Sequence, residues 1–365
     1  MKDGDSCNAV PTITDVARVA GVSRATAARV LGGYGTVREK TCERVLDAAK
    51  HLAYHPTQLA RSMATGLSKT IGVIIPDIQN PNLARAIRAI MDTASAHSFT
   101  VILATTDEDI ALERDAIRSL LAKRVDGLII TPTSSSEIEH LANAWQRGYP
   151  VVLLERRIAT LRADTFAVDN FGASYEAAKS LILRGHSNVA LVSEVSAHVS
   201  PQALISPVRE WIEGYRAALH DAEIPFSPNL VVLGGWDPQN LAQRVRVLCA
   251  SPDRPTAFLA TNSSAALLLL GVLRNMNLSI PEDVSLICFD NADWTDAVAP
   301  PLTVISQPVR DLAVAATEHL IGRLKGKPST SAVETLMSAV LIHRASVGDA
   351  LHSETVLPKS RDFRC

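Results

Sequence analysis

The sequence predicts a small all-α head followed by a two-lobed α/β body built on two doubly wound parallel sheets. Three observations carry that prediction. Residues 12–56 show only helical apolar spacing, punctuated by glycines. Beyond residue 70, short apolar runs alternate with helical stretches, the pattern of successive strand–helix–strand units. That series ends at Asp169 and starts again, which makes two sheets rather than one. The 365 residues suffice for two or three domains at ~150 residues each. Hydrophobic residues make up 47% and aromatic ones only 4%, so the core must be aliphatic, as suits a parallel sheet buried on both faces.

The head reads as three helices. Thr12-Ile13-Thr14-Asp15 fits S/T-x-x-D/E, a capping-box-like start, and Ile13, Val16, Ala17 and Ala20 fall on one helical stripe. Gly21 tolerates the positive φ that ends a helix, Val22 is expected to tuck into the core, and Ser23 to cap the next helix. That second helix runs from Arg24 to Leu31, and Gly32-Gly33 stops it. A third spans about Val37 to Ala53, with Val45, Leu46, Ala49 and Leu52 inward. Two short helices around a tight glycine turn, braced by a third, describe a helix-turn-helix.

Charge points the same way. The chain carries −2 overall, yet Thr12 to Lys69 holds nine basic residues against four acidic, a balance of +5. With −1 in the first eleven residues, the remainder carries −6. A basic head on an acidic body is a nucleic-acid footprint confined to one end, although a solvated helical surface would show the same balance. The second helix opens with small or polar residues, so its N-terminal end can enter a major groove. Arg24 and Arg29 can bond guanine O6 and N7, while Ser23, Thr26 and the helix N-terminal amides can hold phosphates.

In the body, apolar strand runs appear at 70–76, 99–105, 126–131 and 151–155, with helical stretches at roughly 82–97, 109–124 and 136–147 between them. A short strand ending at Asp169 closes the first half. The second half offers helix 171–184, strand 189–193, helix 209–221, strand 230–234, helix 239–249, strand 257–260, helix 263–276 and strand 285–289. Small ligands bind outside the carboxyl ends of such strands. The polar residues found there are Asn80, Glu155, Asn262 and Asp290, with Trp236 after another strand and Gln307 further on. Acid and amide groups can address several hydroxyls at once, and an indole can cover the apolar face of a sugar ring. Each residue taken singly also suits a loop or a cap.

The stretch from Thr12 to Thr26 (TITDVARVAGVSRAT) resembles the N-terminal signature of the lactose-repressor (LacI/GalR) family, and the match continues in Arg29-Val30-Leu31, in Arg44-Val45-Leu46 and in Tyr54 to Met63. The resemblance runs to about residue 345. It implies a sequence-specific DNA-binding transcriptional regulator, a repressor, with a periplasmic-binding-protein-like body and a small sugar-like effector in the interlobe cleft. Carried over position by position, Thr12, Ser23, Arg24, Ala25, Thr26 and Arg29 are the expected DNA-binding residues; Ala25 replaces a residue that is often polar. Residues 57–65 resemble the family's hinge helix, with Ala60 and Met63 at the minor groove. Met63 stands where a leucine usually wedges between base pairs, and its long apolar side chain can do the same.

The family's effector pocket draws on the same strand-end positions. Where an arginine usually precedes the Gly-Tyr pair by three residues, Gly214-Tyr215 is preceded by Trp211, which joins Asn80, Glu155, Trp236, Asn262, Asp290 and Gln307 as a candidate effector-binding residue. Losing that cation argues against a carboxylate or phosphate effector. The fold implied crosses between lobes three times, near Asp169, Ser306 and Leu336. The expected organisation is a disordered tail at 1–11, the head at 12–56, hinge and linker at 57–69, and a body at 70–345. Lobe 1 takes about 70–169 and 306–336, lobe 2 about 170–305 and 337–345, and a flexible tail takes 346–365. The partners expected are pseudo-palindromic operator DNA, a sugar or polyol, and a second copy of the chain in a homodimer.

Other classes find little support. Cys7, Cys42, Cys249, Cys288 and Cys365 are widely spaced with no CxxC, so neither a disulfide framework nor a zinc site is expected. No signal peptide opens the chain and no apolar run spans a membrane, which fits a cytoplasmic protein. GxSxG, Walker and HExxH motifs are missing, so no catalysis, cofactor or metal is expected. His186 reads as a structural turn residue. The tail lacks the heptads of a tetramerising coiled coil. The alternative function is a solute receptor of a transport system on the same two-lobed fold, which would need export and has no use for a helix-turn-helix.

Overall fold

A computed structural model of the chain describes residues 11–32, 35–54, 67–194, 204–234, 237–326 and 331–350. The hinge expected at 57–65, with Ala60 and Met63, lies outside the described residues, as do Trp236 and the terminal stretches 1–10 and 351–365.

The head is built from α1 (Ile13–Val19), α2 (Arg24–Gly32) and α3 (Glu39–His51). The Asp15 carboxylate accepts from the amide and hydroxyl of Thr12, at 3.0 and 2.8 Å, and from Arg18 at 2.8 Å. These donors, Arg18 first, hold its pKa down at about 2. Gly21 has φ +62° and turns the chain into α2, where the Ser23 hydroxyl accepts from the Thr26 amide at 3.1 Å. Val16, Ala17, Ala20, Ala27, Val45, Ala48 and Ala49 form the core. One expectation fails here: Leu46 is 54% exposed. The inward face of α3 follows Val45, Ala48 and Ala49, the i, i+3, i+4 series, and Leu46 lies about 100° round the helix from Val45.

The body has two six-stranded sheets. In lobe 1, β1 (Thr70–Ile75), β2 (Thr100–Thr105), β3 (Gly127–Ile130), β4 (Val151–Leu154), β5 (Asp164–Val168) and β11 (Glu334–Met337) stand in the order β11-β5-β4-β3-β1-β2, all parallel. Every residue of β1 is buried, because helices cover both faces. Val73 points toward α4 (Pro81–Ala96) and α12 (Val309–Leu324). Its neighbour Ile74 points to the opposite cluster, with Ile117 of α5 (Ile110–Ala122) and Leu141 of α6 (Glu139–Gln146).

Lobe 2 contains β6 (Val189–Ser193), β7 (Val231–Leu233), β8 (Ala257–Ala260), β9 (Ser285–Phe289), β10 (Thr303–Ser306) and β12 (Val340–Ile342), in the order β12-β10-β9-β8-β6-β7. Its helices are α7 (Asn170–Ile182), α8 (Ser206–Asp221), α9 (Pro238–Cys249), α10 (Ser263–Asn275) and α11 (Trp294–Ala297). β12 runs antiparallel to β10, so this sheet is not purely parallel as expected. α7 and α8 pack so closely at Gly214 that a Cβ there would sit 2.3 Å from the Phe171 carbonyl oxygen, which explains a glycine before the buried Tyr215.

The chain crosses between lobes at Asp169, at 307–308 and at 338–339. The third crossing comes later than expected because Leu336 and Met337 still pair with Ala167 and Val168. Lobe 2 also continues past 345. Ser346, expected in a flexible tail, is fully buried: its hydroxyl accepts from the Thr303 amide at 2.7 Å and donates to the Leu286 carbonyl at 2.6 Å. His186 secures the next turn, within hydrogen-bond distance of Thr256, Ser285 and the Gly348 carbonyl.

Candidate functional site

Two surfaces matter. On the head, Ser23, Arg24, Ala25 and Arg29 are exposed along the start and outer face of α2, Thr12 is exposed at the start of α1, and Thr26 is half-buried. Among the described residues neither Arg24 nor Arg29 has an ion-pair partner, so both guanidiniums are available to bases or phosphates.

The second surface is a cleft between the lobes with a volume of about 310 Å³. It collects the carboxyl ends of strands from both sheets: Glu155 after β4, Glu194 after β6, Thr261 and Asn262 after β8, and Asp290 after β9. Lobe 1 adds Asn80 and Asn82 at the start of α4, and the second crossing adds Gln307. Glu155 and Asp290 have φ of +67° and +92°. Non-glycine residues in that region cost ~1–3 kcal/mol each and persist where the surroundings over-determine them.

Asp290 is the hub of the cleft. Its carboxyl accepts from Gln307 at 2.8 Å, from the Ser263 amide at 3.2 Å and from Asn82 of the other lobe. Burial nevertheless pushes its pKa up to about 8, with Glu155 adding repulsion and the Ser263 and Gln307 bonds opposing the rise. Burial also raises Glu155 and Glu194; Asn262 donates to Glu194 at 3.1 Å and partly offsets this. Arg156 is held by both oxygens of Glu108, at 2.5 and 2.8 Å, and by the Pro132 carbonyl at 2.9 Å. Around the cleft, further bonds bridge the lobes: Arg85 to the Asn291 carbonyl at 2.7 Å and to Asp293, Arg157 to Ser206 and Glu210, and Ser135 to the Leu204 carbonyl.

The family model for bacterial regulatory proteins, lacI family, matches residues 12–57, and that for a periplasmic binding protein-like domain matches residues 178–347. A probable opine utilization operon repressor of Rhizobium rhizogenes is 66% identical over 195 residues, 53% of this chain and 98% of that one. Catabolite control protein A of Priestia megaterium is 32% identical over 85% of this chain and 91% of its own. The chain belongs to the LacI family. It is a DNA-binding transcriptional repressor with an effector-binding body, and the repressors it resembles are regulators rather than enzymes. Among solved structures, the transcriptional regulator CelR in complex with cellobiose superposes with a TM-score of 0.68 at 25% identity, covering 92% of this chain and 99% of that one. Among the described residues no helix is long and apolar enough to cross a membrane.

Within this LacI-family chain, Asn80, Glu155, Trp211, Asn262, Asp290 and Gln307 all line one cleft. They differ in how free they are. The Asn80 and Asn262 side chains cap α4 and α10 by accepting backbone amides. The Trp211 indole donates to Asn170 at 3.1 Å and stacks 5.4 Å from the Phe289 ring, so its N–H is committed and it is 9% exposed. Asn82, Arg156, Glu194 and Thr261 were missed. Glu194 and Thr261 obey the strand-end rule that found the others, coming directly after β6 and β8; Asn82 needed the fold of the helix start.

Proposed function

We propose that the chain binds a pseudo-palindromic operator as a homodimer and that a small polar effector of the sugar or polyol class, held in the interlobe cleft, sets its operator affinity. The carrying observation is the cleft itself: about 310 Å³, with carboxyl and amide groups brought in from both lobes, within the size range of small-ligand sites. The cellobiose in the CelR structure agrees with a hydroxyl-bearing ligand, and the name of the 66% identical relative agrees with repression of a utilization operon. A DNA target agrees with a cytoplasmic protein.

In this reading Arg24 and Arg29 read bases, Ser23, Thr26 and Thr12 position the head on phosphates, and Ala25 makes an apolar contact. A segment at 57–65 with Ala60 and Met63 enters the minor groove. Two heads held by one dimer reach half-sites about one helical turn apart. An effector that bonds Asp290, Asn82, Glu155 and Gln307 competes with the lobe-bridging contacts. It therefore shifts the lobe arrangement by its differential affinity for the two states. The reading as a solute receptor gives the head no task.

Titrating sugars and polyols against the chain with and without operator DNA tests this. Couplings of ~1–3 kcal/mol are expected, and linkage requires operator to change effector affinity by the same factor. Equal affinity in both titrations would show that cleft and head are uncoupled.

A further inference from the structure

The charge of the cleft narrows the ligand beyond its hydroxyls; the step rests on the cleft being the effector site. We infer that the effector carries a protonated amine beside its hydroxyl groups, as an amino sugar or an amino polyol does. Asp77, Asp107, Glu108, Glu155, Glu194 and Asp290 line the cavity, and among the described residues Arg156 is the one cation lining it. That guanidinium is already engaged by both oxygens of Glu108 and by Pro132, so its hydrogen bonds are spent on one carboxylate, and it acts on Glu155 only through space, as Arg85 does on Asp290. Glu155 accepts no hydrogen bond from any described residue. Asp290 takes three neutral donors, and Glu194 takes one from Asn262.

A second, independent feature marks the place of a missing partner. Among the described residues the Thr261 hydroxyl, on a residue 1% exposed in the cavity lining, has no hydrogen-bond partner. Buried polar groups are ordinarily satisfied, so one left open on a residue of the cavity lining calls for a partner, and a ligand in the cavity is one that could supply it. A neutral polyol would bond the amides but bring no counter-charge that lets the buried carboxyls ionise. An ammonium donates up to three charge-assisted hydrogen bonds and supplies the opposite charge. The raised pKa values of Glu155, Glu194 and Asp290 fit carboxyls whose counter-charge arrives with the ligand.

Isothermal titration of the full chain at pH 7 with two matched pairs decides the matter: D-glucosamine against D-glucose, and 1-amino-1-deoxy-D-glucitol against D-glucitol. The amine of at least one pair should bind about tenfold tighter than its neutral partner, a difference of ~1.4 kcal/mol. In two buffers of different ionisation enthalpy, its binding should release protons. Asp290, which faces Glu155, Arg85 and the Cys288 thiol, is largely protonated at that pH and should ionise as the cation arrives. Glu194→Gln should narrow the difference within the pair. A neutral sugar binding as tightly as its amine, or binding of neither, overturns the inference. An amine that binds tightly yet leaves operator affinity unchanged would instead overturn the effector reading and keep the charge assignment.

Discussion

Head and cleft are assembled from opposite kinds of information. The head's core comes from one run of chain, residues 16 to 49, and five of its seven buried residues are alanines. The cleft draws residues from 76 to 307, brought together only after two sheets have formed. The first arrangement is local and shallow, since each buried methyl or methylene contributes only ~0.8 kcal/mol. The second is non-local and rests on large aliphatic clusters on both sides of each sheet. Because the two cores are separate clusters, the DNA-reading head is expected to yield without disturbing the ligand site. All four tryptophans, Trp145, Trp211, Trp236 and Trp294, lie in the body, so indole fluorescence follows the body alone and far-ultraviolet ellipticity adds the head.

The largest separation should come from Arg156→Met. Arg156 and Glu108 are 8% and 12% exposed, and removing one partner of a buried pair costs ~3–5 kcal/mol because the other charge stays behind. Urea unfolding read by fluorescence should show that loss in the body. Loss of head ellipticity at the same shifted midpoint would mean that head and body unfold as one unit.

Next is a pH effect confined to the body. Burial pushes the Asp290 carboxyl up to about 8, against 3.8 for a free aspartate. A raised folded-state value means that its contribution to stability is fully present below about 3.8 and is lost as pH rises through about 8. Asp290→Asn should therefore flatten the fall in body stability between those limits. An unchanged slope would show that other groups carry the pH dependence.

The same contrast governs what could be read before the fold was known. The head's glycine turn at Gly21, its capping residues and its arginines are neighbours in sequence, so spacing alone places them. The succession of strands and helices in the body follows from the apolar runs and the restart after Asp169, although their order within each sheet does not. The strand-end rule brought Asn80, Glu155, Asn262, Asp290 and Gln307 to one cavity. It could not tell which side chains are already spent: the Trp211 indole on Asn170 and the Arg156 guanidinium on Glu108 are satisfied by residues 41 and 48 positions away. Nor could it find β12, whose three residues reverse direction beside β10 after a two-residue crossing. Ser346 was assigned to a tail because its surroundings are polar in sequence, whereas its hydroxyl is buried by strands 43 and 60 residues earlier.

On the head, Arg24→Ala and Arg29→Ala should each weaken operator binding by ~1–3 kcal/mol and relax selectivity at one base pair, with little change for random DNA. Body fluorescence and effector affinity in the absence of DNA should stay as in the parent. Equal losses on operator and random DNA would make these arginines phosphate anchors.

The smallest effect expected tests the head's geometry. Leu46 is 54% exposed, whereas its neighbour Val45 is fully buried against α1 and α2. Hydropathy alone ranks both as core; helix geometry separates them, because consecutive residues are 100° apart and only one can face the bundle. Leu46→Gln should then change head stability by no more than ~0.5 kcal/mol, the range for a surface substitution. Val45→Ala removes two buried methyl groups from a core with little else to replace them, and should cost ~1 kcal/mol or more. Thermal unfolding followed at 222 nm gives both numbers for the same transition. If Leu46→Gln costs as much as Val45→Ala, the helix is rotated relative to the arrangement described, and the outer face of α2 that carries Arg24 and Arg29 would have to be placed anew.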